Sequence, residues 1–131
     1  MAAAAGEARD PWWIIGSAAM ALHGVTGLVV GDIDLLMSRD DAARLLCAKG
    51  IEPAPGERGG PFRSDVFGRW AASGFTVEVM GGFRVRGREL VPASRQRIGA
   101  VFVPPAEELA RMCELFGRPK DAERARRLRG L

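Results

Sequence analysis

The order of the predicted elements indicates an α+β fold, in which helices pack on a mixed sheet and two helices end the chain. Three observations favour this fold. An apolar strand followed by a helix occurs twice in the first third of the chain, a strand hairpin follows, and two helical segments come after Pro104. With 131 residues, of which 47% are apolar and 27% charged, we expect a single domain over residues 1–131. Residues 1–10 are predicted to form a flexible tail or a short leading helix.

The first half of the chain is predicted as strand, helix, strand, helix. Residues 12–15 are fully apolar, and residues 17–23 are rich in good helix formers and end before a glycine. Asp32–Met37 is the second strand. Ser38 is followed three residues later by an acid, which is the pattern of a helix cap, so we expect a helix over residues 40–49.

The second half begins with a loop rich in proline and glycine, predicted over residues 52–61. Alternating apolar residues predict a hairpin of two strands, residues 66–71 and 75–80, which Gly81 and Gly82 should end. A weak strand over residues 83–91, a clean apolar strand over 98–103, and helices over 106–116 and 119–128 complete the chain.

Three carboxylates lie on the predicted strands. Asp32 and Asp34 are two positions apart, so they project from the same face of their strand. Two carboxylates that close repel each other unless a proton or a cation lies between them, and Mg²⁺ prefers such hard oxygen ligands. Glu78 lies in the middle of an otherwise apolar strand, where a charge needs a partner or a ligand. We therefore expect the three carboxylates to converge on one or two Mg²⁺ or Mn²⁺ ions.

Each of these residues also has a simpler interpretation. Asp32 and Asp34 could lie on the solvated face of an edge strand, although the apolar residues between and after them favour a buried strand. Glu78 could form a structural ion pair with one of the many arginines. Gly16-Ser17 is typical of an ordinary helix start, but a glycine there also allows close backbone approach and free amides that suit a phosphate. Its combination with the paired aspartates favours a phosphoryl-transfer site.

These motifs resemble the nucleotidyltransferase superfamily of the DNA polymerase beta type. Within it, the chain is similar to the small bacterial proteins grouped as minimal nucleotidyltransferases and AbiEii-like toxins. The likeness covers nearly the whole chain and includes the segments 105–109 and 117–121 at the closing helices. It implies that Gly16 and Ser17 hold the nucleotide phosphates and that Asp32 and Asp34 bind the metals. Glu78 would be the third carboxylate, as a metal ligand or as the base for an acceptor hydroxyl.

The reaction that the resemblance implies is transfer of a nucleoside monophosphate from an NTP to a hydroxyl, with pyrophosphate leaving. The acceptor is unidentified; a small molecule such as an antibiotic, an RNA end and a protein side chain all fit. Two other interpretations stay open: a non-catalytic member of the fold that binds a nucleotide or a protein, and the toxin of a toxin–antitoxin pair. A homodimer or an antitoxin would then be the partner. The net charge of +3 does not favour nucleic acid as a partner.

The remaining expectations concern the setting of the protein and its polar side chains. No apolar run is long enough to cross a bilayer, so no membrane partner is expected. Cys47 and Cys113 are predicted to be reduced and mostly buried, which favours a cytoplasmic location. His23 is expected to pack or cap rather than act as a base. The motif Arg118-Pro119-Lys120-Asp121 is predicted to stabilise a helix junction by an ion pair, with contact to a nucleotide or acceptor as the alternative.

Overall fold

The computed structural model describes residues 7–57 and 60–131, and only the backbone of Glu57. Within these ranges the elements follow one another in the order β1 (Trp13–Ile15), α1 (Gly16–Leu22), β2 (Asp32–Met37), α2 (Arg39–Ala48), β3 (Ala54–Glu57), β4 (Phe62–Ala72), β5 (Phe75–Val85), β6 (Arg88–Glu89), β7 (Gln96–Ile98), β8 (Val101–Val103), α3 (Ala106–Phe116) and α4 (Pro119–Arg129).

The main sheet has the strand order β1-β2-β5-β4-β3, and β6 pairs with the end of β5. β2 and β5 are parallel, whereas β1–β2, β5–β4 and β4–β3 are antiparallel. β7 and β8 form a separate hairpin. A mixed sheet with packed helices and two helices at the end confirms the predicted α+β class.

Helix α2 packs on one face of β4 and β5, where two glycines allow it to approach closely. A Cβ atom added to Gly68 would lie 2.5 Å from Cδ2 of Leu46, and one added to Gly81 would lie 2.7 Å from Cβ of Ala42. The predicted cap of this helix is confirmed, because the Ser38 hydroxyl accepts a hydrogen bond from the Asp41 N–H at 3.2 Å. The start and the packing of α2 thus follow from local sequence.

Buried Asp41 also ties the N-terminal segment to α2. Its carboxylate accepts hydrogen bonds from the backbone N–H groups of Asp10 at 2.8 Å and Arg9 at 3.1 Å, and it pairs with Arg44. Burial acts to raise the pKa of Asp41, but these donors and the Arg44 guanidinium outweigh it and hold the pKa below its usual range. Residues 1–6 of the predicted tail lie outside the described residues.

The closing helices α3 and α4 pack on each other through apolar side chains and are joined at Gly117, whose φ of +70° is the left-handed C-cap geometry. Arg129 near the end of α4 donates hydrogen bonds to Glu107 and Glu114 of α3, with distances between 2.9 and 3.2 Å. At the junction, Arg118 and Asp121 form the ion pair that was predicted there.

Several predicted boundaries were wrong. The loop predicted over residues 52–61 contains β3, and β4 begins at Phe62 rather than residue 66. β5 does not end at Gly81 and Gly82, because its pairing with β4 continues in the same register to Val85, although Gly82 has a φ of +64°. The strand predicted over residues 98–103 is a hairpin, since Gly99 adopts a φ of +60° and turns the chain between β7 and β8.

Other predictions have mixed outcomes. Cys113 is buried as predicted, but the prediction for Cys47 was wrong, because this cysteine lies on the exposed side of α2. His23 ends α1, and its Nε2 lies 2.7 Å from the carbonyl oxygen of Pro104, so it has a structural contact. Of the helices in the described ranges, none has both the length and the apolar character that a membrane span needs.

Candidate functional site

The parallel pairing of β2 with β5 places two of the predicted carboxylates side by side. Asp34 is the register partner of Glu78, and paired residues on neighbouring strands project from the same face. Asp32 lies two residues earlier on that face, opposite Thr76, and is exposed. The sheet therefore brings Asp34 and Glu78 together and holds Asp32 at the exposed start of the strand.

The same row of the sheet continues onto β4. Arg69 is the antiparallel partner of Glu78, and its Nη1 lies 4.0 Å from Oε1 of Glu78. The Glu78 side chain is only 3% exposed, whereas that of Arg69 is 68% exposed. The structural alternative for Glu78, an ion pair with an arginine, is thus present as a long contact. Arg69 thus places positive charge near this buried carboxylate.

Gly16 lies against Asp34 from the other side. It has a φ of +72°, and a Cβ atom added there would lie 2.6 Å from Oδ2 of Asp34. Only glycine adopts this backbone conformation easily and leaves that space for the carboxylate. The first strand ends immediately before it, since Ile15 pairs with Asp34. The turn at Gly16-Ser17 therefore adjoins the carboxylates, as the sequence motif required.

A cleft of about 270 Å³ opens beside these residues. Its lining includes Asp32, Asp34 and the Gly16-Ser17 turn, which we call the carboxylate wall, and the cations of α4 and its N-cap residue Arg118, which we call the cationic wall. The full lining is Ile15, Gly16, Ser17, Val29, Gly31, Asp32, Asp34, Phe62, Met80, Phe83, Phe116, Arg118, Lys120 and Arg124. A larger cavity of about 500 Å³ lies between the N-terminal segment and α2, and it shares no residue with this cleft.

The motif at residues 118–121 has two parts with different positions. Arg118 forms the ion pair with Asp121, through Nε at 2.8 Å and Nη2 at 3.0 Å, and its guanidinium also lies near the rings of Phe62 and Phe116. Lys120 lines the same cleft as Arg118, has no such ion pair among the described residues, and interacts electrostatically with Asp34. The sequence favoured a structural role for both cations, and the structure places Lys120 at the candidate site.

Positive charge is crowded around Lys120. Arg118 lowers its pKa most, burial and Arg124 lower it further, and the carboxylate of Asp34 opposes the shift. Sequence reasoning did not place Arg124 at the site. The available signal was its spacing of four residues from Lys120, which puts both side chains on one face of a helix.

The oxygen donors present are of the kind that Mg²⁺ prefers. Two of them, Oδ1 of Asp34 and Oε2 of Glu78, are buried atoms, and both residues have interaction partners. In the described part of the chain, no group of three or more histidine, cysteine, aspartate or glutamate side chains is arranged so that it could hold a metal ion. Convergence of all three carboxylates on one ion thus stays a prediction.

Comparison with known proteins gives one informative likeness. No protein-family model matches the chain, and no curated protein matches it. The chain is similar to the solved structure of a putative nucleotidyltransferase from Thermotoga maritima, with a TM-score of 0.70 and 21% sequence identity over 98% of this chain and 88% of that chain. At this identity the likeness concerns the fold alone. The chain therefore has a nucleotidyltransferase-like α+β fold.

Proposed function

We propose that the protein is a metal-dependent nucleotidyltransferase, which moves a nucleoside monophosphate from an NTP to a hydroxyl group. The observation that carries this proposal is the register of Asp34 with Glu78 on adjacent parallel strands, with Gly16 packed against Asp34. Asp34 lines a cleft that Asp32, Arg118, Lys120 and Arg124 also line, so acidic and basic groups border one space open to solvent, while Glu78 is buried beside Asp34.

Asp32, Asp34 and Glu78 are the residues that would hold Mg²⁺ or Mn²⁺. When bound, such an ion neutralises negative charge on the phosphate oxygens during displacement. Oxygen ligands of this kind fit a hard divalent cation, and one or two carboxylates together with substrate phosphates are a usual ligand set for Mg²⁺. The carboxylates of the chain thus match the requirement, with Asp32 at the solvent side and Glu78 at the buried side of Asp34.

In the proposed reaction, the oxygen of the acceptor hydroxyl forms a bond to the α-phosphorus of the NTP. The bond from that phosphorus to the oxygen bridging the α and β phosphates breaks, and pyrophosphate leaves with this oxygen. The proton of the hydroxyl passes to a carboxylate. Glu78 is the candidate acceptor of this proton if it acts as the base instead of as a metal ligand, because its carboxylate lies beside Asp34 on the neighbouring strand.

Two likenesses support this activity. The motifs at Gly16-Ser17, Asp32, Asp34 and Glu78 resemble those of the superfamily named above, and the fold is similar to that of a protein described as a putative nucleotidyltransferase. The narrower assignment to small bacterial, AbiEii-like proteins rests on the sequence resemblance.

Nucleotide binding without turnover is the second candidate. It is favoured by the exposed position of Asp32 and by the lack of a three-membered metal-binding group among the described residues. Such a protein would retain the cleft and its cations but would not require all three carboxylates.

Titration with each of the four NTPs, with and without Mg²⁺, tests the proposal. Asp34→Asn removes a charge from the site, whereas the matched control Asp40→Asn removes one from an exposed position on α2, which packs on the opposite face of the sheet. We expect the wild type and Asp40→Asn to bind an NTP in a metal-dependent manner and Asp34→Asn to lose this dependence. Binding that is indifferent to metal would favour the second candidate, and lack of NTP binding by the wild type would reject both.

A further inference from the structure

We propose that Lys120 and Arg124, one helical turn apart on α4, bind the triphosphate of the nucleotide across the cleft from Asp34. This inference rests on the proposed function and assigns the phosphate-binding side chains of the same site. It shifts the main phosphate contacts from the Gly16-Ser17 turn to the closing helix, where the sequence favoured a structural junction over contact with a nucleotide or acceptor.

The three cations of the cleft are not equivalent. Arg118 is held by the carboxylate of Asp121 and by neighbouring aromatic rings, so its charge is already compensated. In the part of the chain that the structure describes, neither Lys120 nor Arg124 forms an ion pair or a side-chain hydrogen bond. These two side chains are therefore available to bind an anion, and both line the cleft.

The electrostatics of the cleft wall favour an anion at this place. Lys120 and Arg124 line the same cleft, and Lys120 lies close enough to Arg118 and Arg124 for their positive charge to lower its pKa, so the cations repel one another. A phosphate group between the cations would remove this repulsion. Asp121 and Asp34 offset part of it, but Asp121 is paired with Arg118, and Asp34 belongs to the carboxylate wall, where the metal is proposed to bind.

The alternative phosphate site in the chain is weaker. Helix α1 begins at Gly16 and is only seven residues long, so its N-terminus offers a small dipole and a few amides. Charge-assisted contacts from side chains are stronger than contacts with neutral donors. A metal held on the carboxylate wall and phosphate oxygens held on the cationic wall would together satisfy both sides of the cleft.

Isothermal titration with Mg-ATP, and with inorganic tripolyphosphate as the base-free probe, tests the assignment. The variants are Lys120→Ala, Lys120→Arg and Arg124→Ala. Arg126→Ala is the control, because Arg126 is exposed on the same helix, pairs with Glu123 and does not line the cleft. Since a charged hydrogen bond contributes about 1.5–3 kcal/mol, Lys120→Ala and Arg124→Ala should each weaken binding of both probes by about 10- to 100-fold.

Further readouts separate phosphate binding from a structural role. Lys120→Arg should retain most of the affinity, and Arg126→Ala all of it. Removal of Lys120 relieves repulsion in the free protein, so thermal unfolding of Lys120→Ala should occur at the wild-type temperature or above it. A structural role predicts a lower unfolding temperature instead, and this result with unchanged binding of the probes would overturn the assignment.

The outcomes also distinguish this inference from the proposed function. Metal-dependent ATP binding that is lost in Asp34→Asn but unchanged in Lys120→Ala and Arg124→Ala would overturn the phosphate assignment alone. Tripolyphosphate binding that requires Lys120 but neither Asp34 nor metal would support the anion site and reject the nucleotidyltransferase. Lack of binding of both probes by the wild type would overturn both.

Discussion

Substitution of Gly16 by alanine is expected to disturb the candidate site more than it disturbs the fold. A left-handed φ costs an L-residue about 1–2 kcal/mol relative to glycine. Gly16 has a φ of +72° and Gly50 a φ of +73°, so this backbone term should be nearly the same in Gly16→Ala and Gly50→Ala. The two positions differ in their surroundings, and that difference isolates the contact with Asp34.

At Gly50 an added Cβ atom meets nothing within 4 Å, whereas at Gly16 it would lie 2.6 Å from Oδ2 of Asp34. Since Cβ contacts under 3.0 Å essentially do not occur, the carboxylate or the turn must move by a few tenths of an ångström. Overpacking of this kind costs about a further 1–3 kcal/mol. Small displacements at a reacting site are also expensive, with a loss on the order of 100-fold for about 1 Å.

Urea unfolding followed by circular dichroism measures the first effect, and titration with Mg-ATP measures the second. We expect Gly50→Ala to lose about 1–2 kcal/mol of stability with unchanged nucleotide binding. Gly16→Ala should lose more stability and most of its metal-dependent binding. Equal losses of stability in the two variants, together with wild-type nucleotide binding in Gly16→Ala, would refute the argument that this glycine leaves space for the Asp34 carboxylate.

Three further substitutions test other parts of the structure. Asp41→Asn should cost about 1–3 kcal/mol near neutral pH. Because the folded-state pKa of Asp41 is lowered, its contribution is full above the unfolded-state pKa of about 3.9 and disappears as the pH falls through the folded-state value. Urea unfolding at several pH values should therefore show the gap to the wild type closing in acid, and a constant gap would contradict this. Arg129→Ala should lower the melting temperature, because it removes the contacts between α4 and the two glutamates of α3. The decrease in melting temperature should be smaller in about 1 M salt. A decrease that does not depend on salt would indicate that Arg129 stabilises the helices by packing instead of by charge. Gly68→Ala should destabilise the protein by about 1–3 kcal/mol, because its Cβ would overlap Leu46, and calorimetry showing no change would contradict the close approach of α2.

Elements with strong local signals could be predicted from the sequence with correct bounds. Asp32–Met37 and Ala106–Phe116 agree with the structure residue for residue, and the Ser38 cap was recognised from its spacing alone. A strand of apolar residues between polar ends, an amphipathic helix that ends at glycine, and a serine before an acid are all local patterns.

Elements that depend on distant pairing could not be predicted. β3 contains Pro55 and Gly56, which are typical of a loop. An edge strand tolerates both residues, so it is the pairing with β4 that makes this segment a strand. The carboxylate pair was expected only on the condition that two strands lie side by side, which no local pattern decides. The position of Lys120 in the cleft likewise depends on how α4 packs against the sheet.

The parallel pairing of β2 with β5 has a consequence for the order of folding. In the sequence, α2 and the hairpin of β3 and β4 lie between β2 and β5. Closing this long loop costs chain entropy before the two strands can meet. Non-local pairing of this kind is slow compared with helix and hairpin formation. During synthesis on the ribosome, the acidic pair cannot assemble until β5 has emerged, and the cationic wall follows only with the last helix. A newly made chain would therefore complete its candidate site only after α4 has been synthesised.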